Sequence, residues 1–454
     1  MIFLYNFAFL LFAIFSLPRF LSKAKQAEDG RRLYRERLGI FSEEWRRKLV
    51  GKKVIWLHAV SVGEVLAVKK FIELFLERSP EYHFVLTTVT PTGQKIARQQ
   101  MEGEKVTVCY FPFDWTPAVR SFFKALGPEC LLLAETEIWP NVLMEAARAH
   151  VPVGVLNARL SPASAGRYAR FSFFFEPLFR QLKFVLTQTK EDASRFEGLG
   201  TDSTRIHVLG NMKFDNVSLD LADVGRVSAL RQEWLFHSDD LILIAGSTHQ
   251  GEEEILKRVY HLLLGSFPEL KLVIAPRHIE RSESIARRLR KSGLSVRFSY
   301  PKQSEGKTRQ VLILNQLGLL KQLYALADVV FMGGSLVRHG GQNPIEPASY
   351  KRAIVHGPYV FNFEKIYQLF DQEGASLQVR DEDQLAFALK RLLGHQSERT
   401  NLGESAFAAL QKLQGATERH VEWLRHFLAP GSQFERKKHV EPRSHLFPAI
   451  SRRP

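Results

Sequence analysis

The sequence predicts an α/β protein of two doubly wound, Rossmann-like domains behind an N-terminal membrane anchor. Three observations lead there. The chain has 454 residues, enough for two cores of ordinary size. From residue 53 onward, short β-branched or apolar runs alternate with Gly-, Ser- or Pro-bearing turns and helical stretches, the signature of parallel strands buried on both faces. Finally, a polar stretch at residues 210–223 separates one such series from a second.

Residues 1–17 are apolar apart from Asn6 and Ser16, and Pro18 and Arg19 close the run. That length lies at the lower edge of the roughly 17–25 residues that span hydrocarbon. No basic residue precedes the run and no small-residue cleavage site follows it, so an uncleaved anchor is expected rather than a secretory signal. Arg19, Lys23, Lys25, Arg31, Arg32, Arg35 and Arg37 follow, and such a flank stays on the cytoplasmic side. A helix lying in the interface, or packed on the protein, is the alternative.

In the first series, strands are expected at residues 54–58, 84–88, 107–110, 130–134, 153–156 and 184–187, with helices such as 64–78 and 92–100 between them. The second series has strands near 241–245, 270–275, 311–314, 329–332 and 353–356, with helices such as 252–264 and 282–291. The expected division is an anchor at 1–22, an N-terminal domain at 23–209, a linker at 210–225, a C-terminal domain at 226–428 and a basic flexible tail at 429–454. Two such sheets would face a cleft, with ligands outside the carboxyl ends of their strands.

The formal charge of +15 favours anionic partners without choosing among nucleic acid, an anionic bilayer and phosphorylated substrates. No stripe of interleaved Arg and aromatic residues appears, which argues against nucleic acid. The two cysteines, Cys109 and Cys130, lie in apolar runs and supply neither a disulfide framework nor a zinc site. The fifteen histidines show no metal-ligand spacing.

Five strand-end turns carry candidate chemistry. His58-Ala-Val-Ser-Val-Gly-Glu64 offers a carboxylate that could serve as a general base. Ser61 and Glu64 also have the spacing of a capping box, and on residue types alone the cap is preferred; a cap would depress the carboxyl pKa. Glu135-Thr-Glu137-Ile-Trp139-Pro140-Asn141 reads equally as a sugar-facing surface or as a helix start with a core tryptophan. Gly246-Ser247-Thr248-His249-Gln-Gly251-Glu252-Glu253 leaves N–H groups free to grip a phosphate, but lacks both the Gly-Lys-Ser/Thr of a P-loop and a dinucleotide fingerprint. Ala275-Pro276-Arg277-His278 offers a guanidinium fork. Gly333-Gly334-Ser335, then Gly340-Gly341-Gln342-Asn343-Pro344-Ile345-Glu346-Pro347, would let a nucleotide approach the backbone, with Glu346 placed to accept from ribose hydroxyls.

These turns, together with Asn157-Ala-Arg159-Leu-Ser161 and Gly210-Asn-Met-Lys213-Phe-Asp215, resemble in order the motif set of the 3-deoxy-D-manno-octulosonic acid (Kdo) transferases, in register to about residue 425. The resemblance implies a GT-B glycosyltransferase fold and inverting transfer of Kdo from CMP-Kdo to a phosphorylated lipid A precursor, at the cytoplasmic face of the inner membrane. It implies Glu64 as general base, reversing the preference for a cap. Glu137 and Arg159, joined by Arg167, would meet the acceptor. Lys213, Ser247, Thr248, Arg277, Gly334, Asn343 and Glu346 would hold the donor. No cofactor or metal is expected, since the leaving group carries a single phosphate. The competing readings are another GT-B nucleotide-sugar transferase or epimerase with a uridine donor, and a non-catalytic lipid A-binding scaffold.

Overall fold

The computed structural model describes residues 5–6, 30–216, 224–300, 310–429 and 431. Most of the expected anchor, residues 217–223 of the expected linker and nearly all of the basic tail lie outside the described residues. Among the described residues, no helix is long and apolar enough to cross a membrane. The chain divides into two compact units, residues 1–216 with 414–454, and residues 217–413.

Unit 1 is built on a parallel seven-stranded sheet: β1 (Lys53–His58), β2 (Tyr82–Thr88), β3 (Val106–Tyr110), β4 (Cys130–Ala134), β5 (Val153–Ala158), β6 (Phe184–Thr187) and β7 (Ile206–Val208). Their spatial order is β3-β2-β1-β4-β5-β6-β7. Every residue of β2 to β6 is buried, which explains why these strands read as unbroken apolar runs. One face packs Trp56, Phe122, Phe179 and Leu133; the other packs Phe71, Phe75, Phe84 and Leu132.

Unit 2 repeats the plan with β8 (Ile242–Thr248), β9 (Lys271–Pro276), β10 (Val296–Phe298), β11 (Val311–Ile313), β12 (Val329–Met332), β13 (Ala353–His356) and β14 (Leu377–Gln378), ordered β10-β11-β9-β8-β12-β13-β14. In each sheet the order reverses beside the first strand, between β1 and β4 in one and between β8 and β12 in the other. A doubly wound sheet opens at this switch, so the loops after those four strands are where a ligand is received.

The expected domain boundaries need two corrections. Helix Ala416–Leu428, assigned to the C-terminal domain, belongs to unit 1. Its Ala416, Val421 and Leu424 join the core beneath Phe84 and Phe184. Burying Val421 and Leu424 contributes about 1.5–3 kcal/mol each. His420 fixes the register: its Nδ1–H donates to the Ala416 carbonyl, and its Nε2 accepts the Asn157 N–H at 3.3 Å. Residues 210–216, assigned to a linker, are likewise folded onto unit 1. Met212 is fully buried, and the Asp215 carboxylate caps the returning helix by accepting from the N–H groups of Gly415 (2.7 Å) and Thr417 (2.5 Å).

Candidate active site

In unit 1, the loops after β1 and β4 bring three carboxyl groups to the switch. Ser61 caps helix Val62–Arg78 and accepts the Glu64 N–H, while Glu64 reaches back to the Val60 N–H and the Ser61 hydroxyl, each at 2.8 Å. The capping box is therefore formed. Its expected effect on acidity is reversed, however: burial raises the Glu64 pKa above the ordinary value, and neighbouring Glu135 adds to this, against the lowering by Val60, Ser61 and Lys213. A half-buried carboxyl beside other acids holds its proton more firmly than one facing water, so Glu64 is a better base than a cap alone would make it.

Glu135, the residue after β4, has φ +58°, a left-handed conformation uncommon for any residue but glycine. Its carboxylate pairs with Lys213 Nζ at 2.5 Å. Lys213, expected with the donor, thus belongs to unit 1, because the segment carrying it folds back through Met212. Glu137 accepts from the Trp139 indole N–H at 2.9 Å. Burial first, then the charge of Glu64, pushes its pKa up to about 7. The helix-start reading of this turn is borne out, since helix Pro140–Arg148 begins there and Trp139 packs partly against the core, with Glu137 close to Glu64. Arg159 and Arg167 are exposed, and Arg167 donates to Ser164.

In unit 2, Ser247 lies at φ +56° at a register shift between β8 and β9, a bulge at the mouth of the switch. Gly333 after β12 packs so closely on it that a Cβ there would fall 2.4 Å from the Ser247 carbonyl oxygen. The expected donor residues divide into two groups. Thr248 is fully buried and donates to Glu253 at 3.0 Å, and Glu253 is held by both arms of Arg281 (2.9 and 3.0 Å), so this hydroxyl is committed to the fold. The Gly334 N–H is likewise committed, to Glu252 at 2.7 Å. Ser247 is half-buried, and Arg277 is exposed just beyond β9. Asn343 Oδ1 accepts the Ile345 N–H at 3.2 Å, just ahead of the short helix Ile345–Ser349. Glu346, half-buried, has its pKa raised by burial.

Two features escaped sequence reasoning. Glu252 is fully buried and accepts four backbone N–H groups, from His249, Gly334, Ser335 and Leu336, pinning the loop after β12 to the helix after β8. His249 stacks on His339 at 4.1 Å, with the Gln342 amide 3.3 Å from its Nε2. Burial, then His339, His278 and Arg277, lowers its pKa, so its ring favours the neutral form. Scattered histidines give no spacing signal, so only the fold assembles them. Among the described residues, no group of three or more His, Cys, Asp or Glu could hold a metal ion.

Comparison with known proteins agrees with the motif resemblance. The family model described as 3-deoxy-D-manno-octulosonic-acid transferase (kdotransferase) matches residues 32–216. The 3-deoxy-D-manno-octulosonic acid transferase of Haemophilus influenzae is 31% identical over 376 residues, 82% of this chain and 87% of the relative. Its namesake from Bordetella pertussis is 31% identical over 381 residues, with the same coverage of 82% and 87%. Among solved structures, the UDP-GlcNAc 2-epimerase of Neisseria meningitidis bound to UDP-GlcNAc superposes with a TM-score of 0.56 over 82% of this chain and 99% of that one, at 14% identity, a likeness of fold alone. Ordered motifs, identity and coverage together show that this chain belongs to the 3-deoxy-D-manno-octulosonic acid transferase family.

Proposed function

We propose that the protein is an inverting GT-B glycosyltransferase that moves Kdo from CMP-Kdo to a phosphorylated lipid A precursor at the cytoplasmic face of the inner membrane. The observation that carries this reading is Glu64, a half-buried carboxyl of raised pKa at the switch point of the unit 1 sheet, in a chain that belongs to the Kdo transferase family.

Unit 1 would supply the base and unit 2 the donor subsite. Glu64 takes the proton from an acceptor hydroxyl as that oxygen bonds to the anomeric carbon; the bond from that carbon to the CMP phosphate breaks on the opposite face. Lys213 steadies the acids around Glu64 through Glu135, 2.5 Å away. Glu137 and Arg159 meet the acceptor. In unit 2, exposed Arg277 and half-buried Ser247 receive the departing phosphate, and Asn343 and Glu346 face the nucleoside. Thr248 and Gly334 serve by holding these loops in place.

Attachment to the anionic membrane surface is supported by the apolar N-terminal sequence with its basic flank. It is supported also by Phe171 and Phe173, 51% and 65% exposed, beside exposed Arg167 and Arg170. The fold shared with a UDP-GlcNAc 2-epimerase keeps a uridine-donor enzyme as the second reading. Isothermal titration of the full chain with CMP and with UMP separates them: preference for CMP is expected. Preference for UMP would select the uridine enzyme, and affinity for neither would select a lipid-binding scaffold.

A further inference from the structure

Two residues of the apolar N-terminal run are described, Tyr5 and Asn6, and both are helical and half-buried. Asn6 would be unfavourable in hydrocarbon without a partner. Its amide oxygen and nitrogen each have a partner on the domain instead. Asn6 Oδ1 accepts from Asn141 Nδ2 at 2.9 Å, and Asn6 Nδ2 donates to Thr116 Oγ1 at 3.4 Å. Thr116 Oγ1 in turn donates to Asn141 Oδ1 at 3.0 Å, closing a ring of three side chains.

Tyr5 reads the adjacent group. Its hydroxyl donates to Asp114 Oδ2 at 2.7 Å, and its ring stacks on Phe174 at 5.9 Å. Asp114, 2% exposed, accepts the N–H groups of Asn141 (3.2 Å) and Val142 (3.0 Å), capping helix Pro140–Arg148, whose own N-cap residue Trp139 makes no side-chain cap. That helix begins directly after the turn bearing Glu135, Glu137 and Trp139.

From this network we infer that Tyr5 and Asn6 are positioning residues: a polar lock that ties the membrane-seeking N-terminal segment to the start of helix Pro140–Arg148, setting the acceptor turn at a fixed depth relative to the bilayer. A tyrosine hydroxyl and an amide in an otherwise apolar run are explained by partners on the protein, where a free spanning helix would leave them facing lipid. The inference rests on the acceptor being presented in a membrane, as the proposed function requires.

The test uses the full chain with Tyr5→Phe, Asn6→Leu and the domain-side Thr116→Val. Asn6→Leu removes the lock while leaving the segment more apolar, so flotation with phosphatidylethanolamine/phosphatidylglycerol vesicles is retained. The apparent KM for lipid A precursor in those vesicles is expected to rise about fivefold per hydrogen bond lost. In detergent micelles, where depth is undefined, KM stays near wild type, and kcat changes little in either medium. Independently of activity, the melting shifts of Asn6→Leu and Thr116→Val combine non-additively, because they remove the same ring. Additive melting shifts, or a KM change equal in vesicles and micelles, overturn the lock. Were the wild type to transfer no Kdo at all, the proposed function would fall while the melting cycle still judged the lock.

Discussion

Glu64 and Glu252 occupy the same place in the two units, each in the first turn of the helix that follows the switch strand, and each reaching back to the backbone it follows. Their surroundings differ. Glu252 is fully buried and accepts four backbone N–H groups, so both oxygens are spent on structure. Glu64 is half-exposed and accepts one N–H and one hydroxyl, with Glu135 and Glu137 beside it. A carboxylate saturated by fixed donors organises a loop; one left partly unsaturated and crowded by like charge can exchange a proton.

Replacing each in turn should separate these roles. Glu64→Gln keeps the cap but cannot accept a proton, so turnover should fall about a hundred- to ten-thousandfold with the melting temperature near wild type. Glu252→Ala should do the reverse in kind: with four N–H groups orphaned, unit 2 loses about 3 kcal/mol or more by chemical denaturation, and CMP binding weakens with it. Wild-type stability in that variant would contradict the structural role.

Glu137 sharpens the comparison through pH. Its folded pKa of about 7 stands above the unfolded value of 4.5, so the fold binds this proton more tightly than the unfolded chain does. That stabilisation is present below the unfolded value and is lost as pH rises through about 7. Glu137→Gln, which mimics the protonated form, should melt higher than wild type at pH 8 and converge with it near pH 5. The smallest effect is expected from Thr248→Val, which removes one buried hydrogen bond to Glu253: about 1 kcal/mol of stability, with CMP affinity nearly unchanged in titration.

The sequence made the central strands legible because buried parallel strands leave continuous apolar runs. Residues 130–134, 329–332 and 353–356 were read with the bounds observed. Edge strands β7, β10 and β14 were missed, since two or three residues are too short to leave such a run. The two glycine pairs and Glu64 could be singled out by residue type and spacing. What each side chain is committed to could not. Thr248 and Gly334 looked free to bind a ligand until Glu253 and Glu252 were seen to occupy them. Lys213 meets Glu135 because Asp215, two residues on, caps a helix about two hundred positions away in the chain, a contact that local pattern cannot announce.

The central claim is that Glu64 drives Kdo transfer. It is tested most directly by incubating wild type and Glu64→Gln with CMP-Kdo and lipid A precursor in vesicles and weighing the product by mass spectrometry. A Kdo-sized gain from wild type, absent with a variant that still binds CMP, is the predicted result; product formed by Glu64→Gln at the wild-type rate would contradict it.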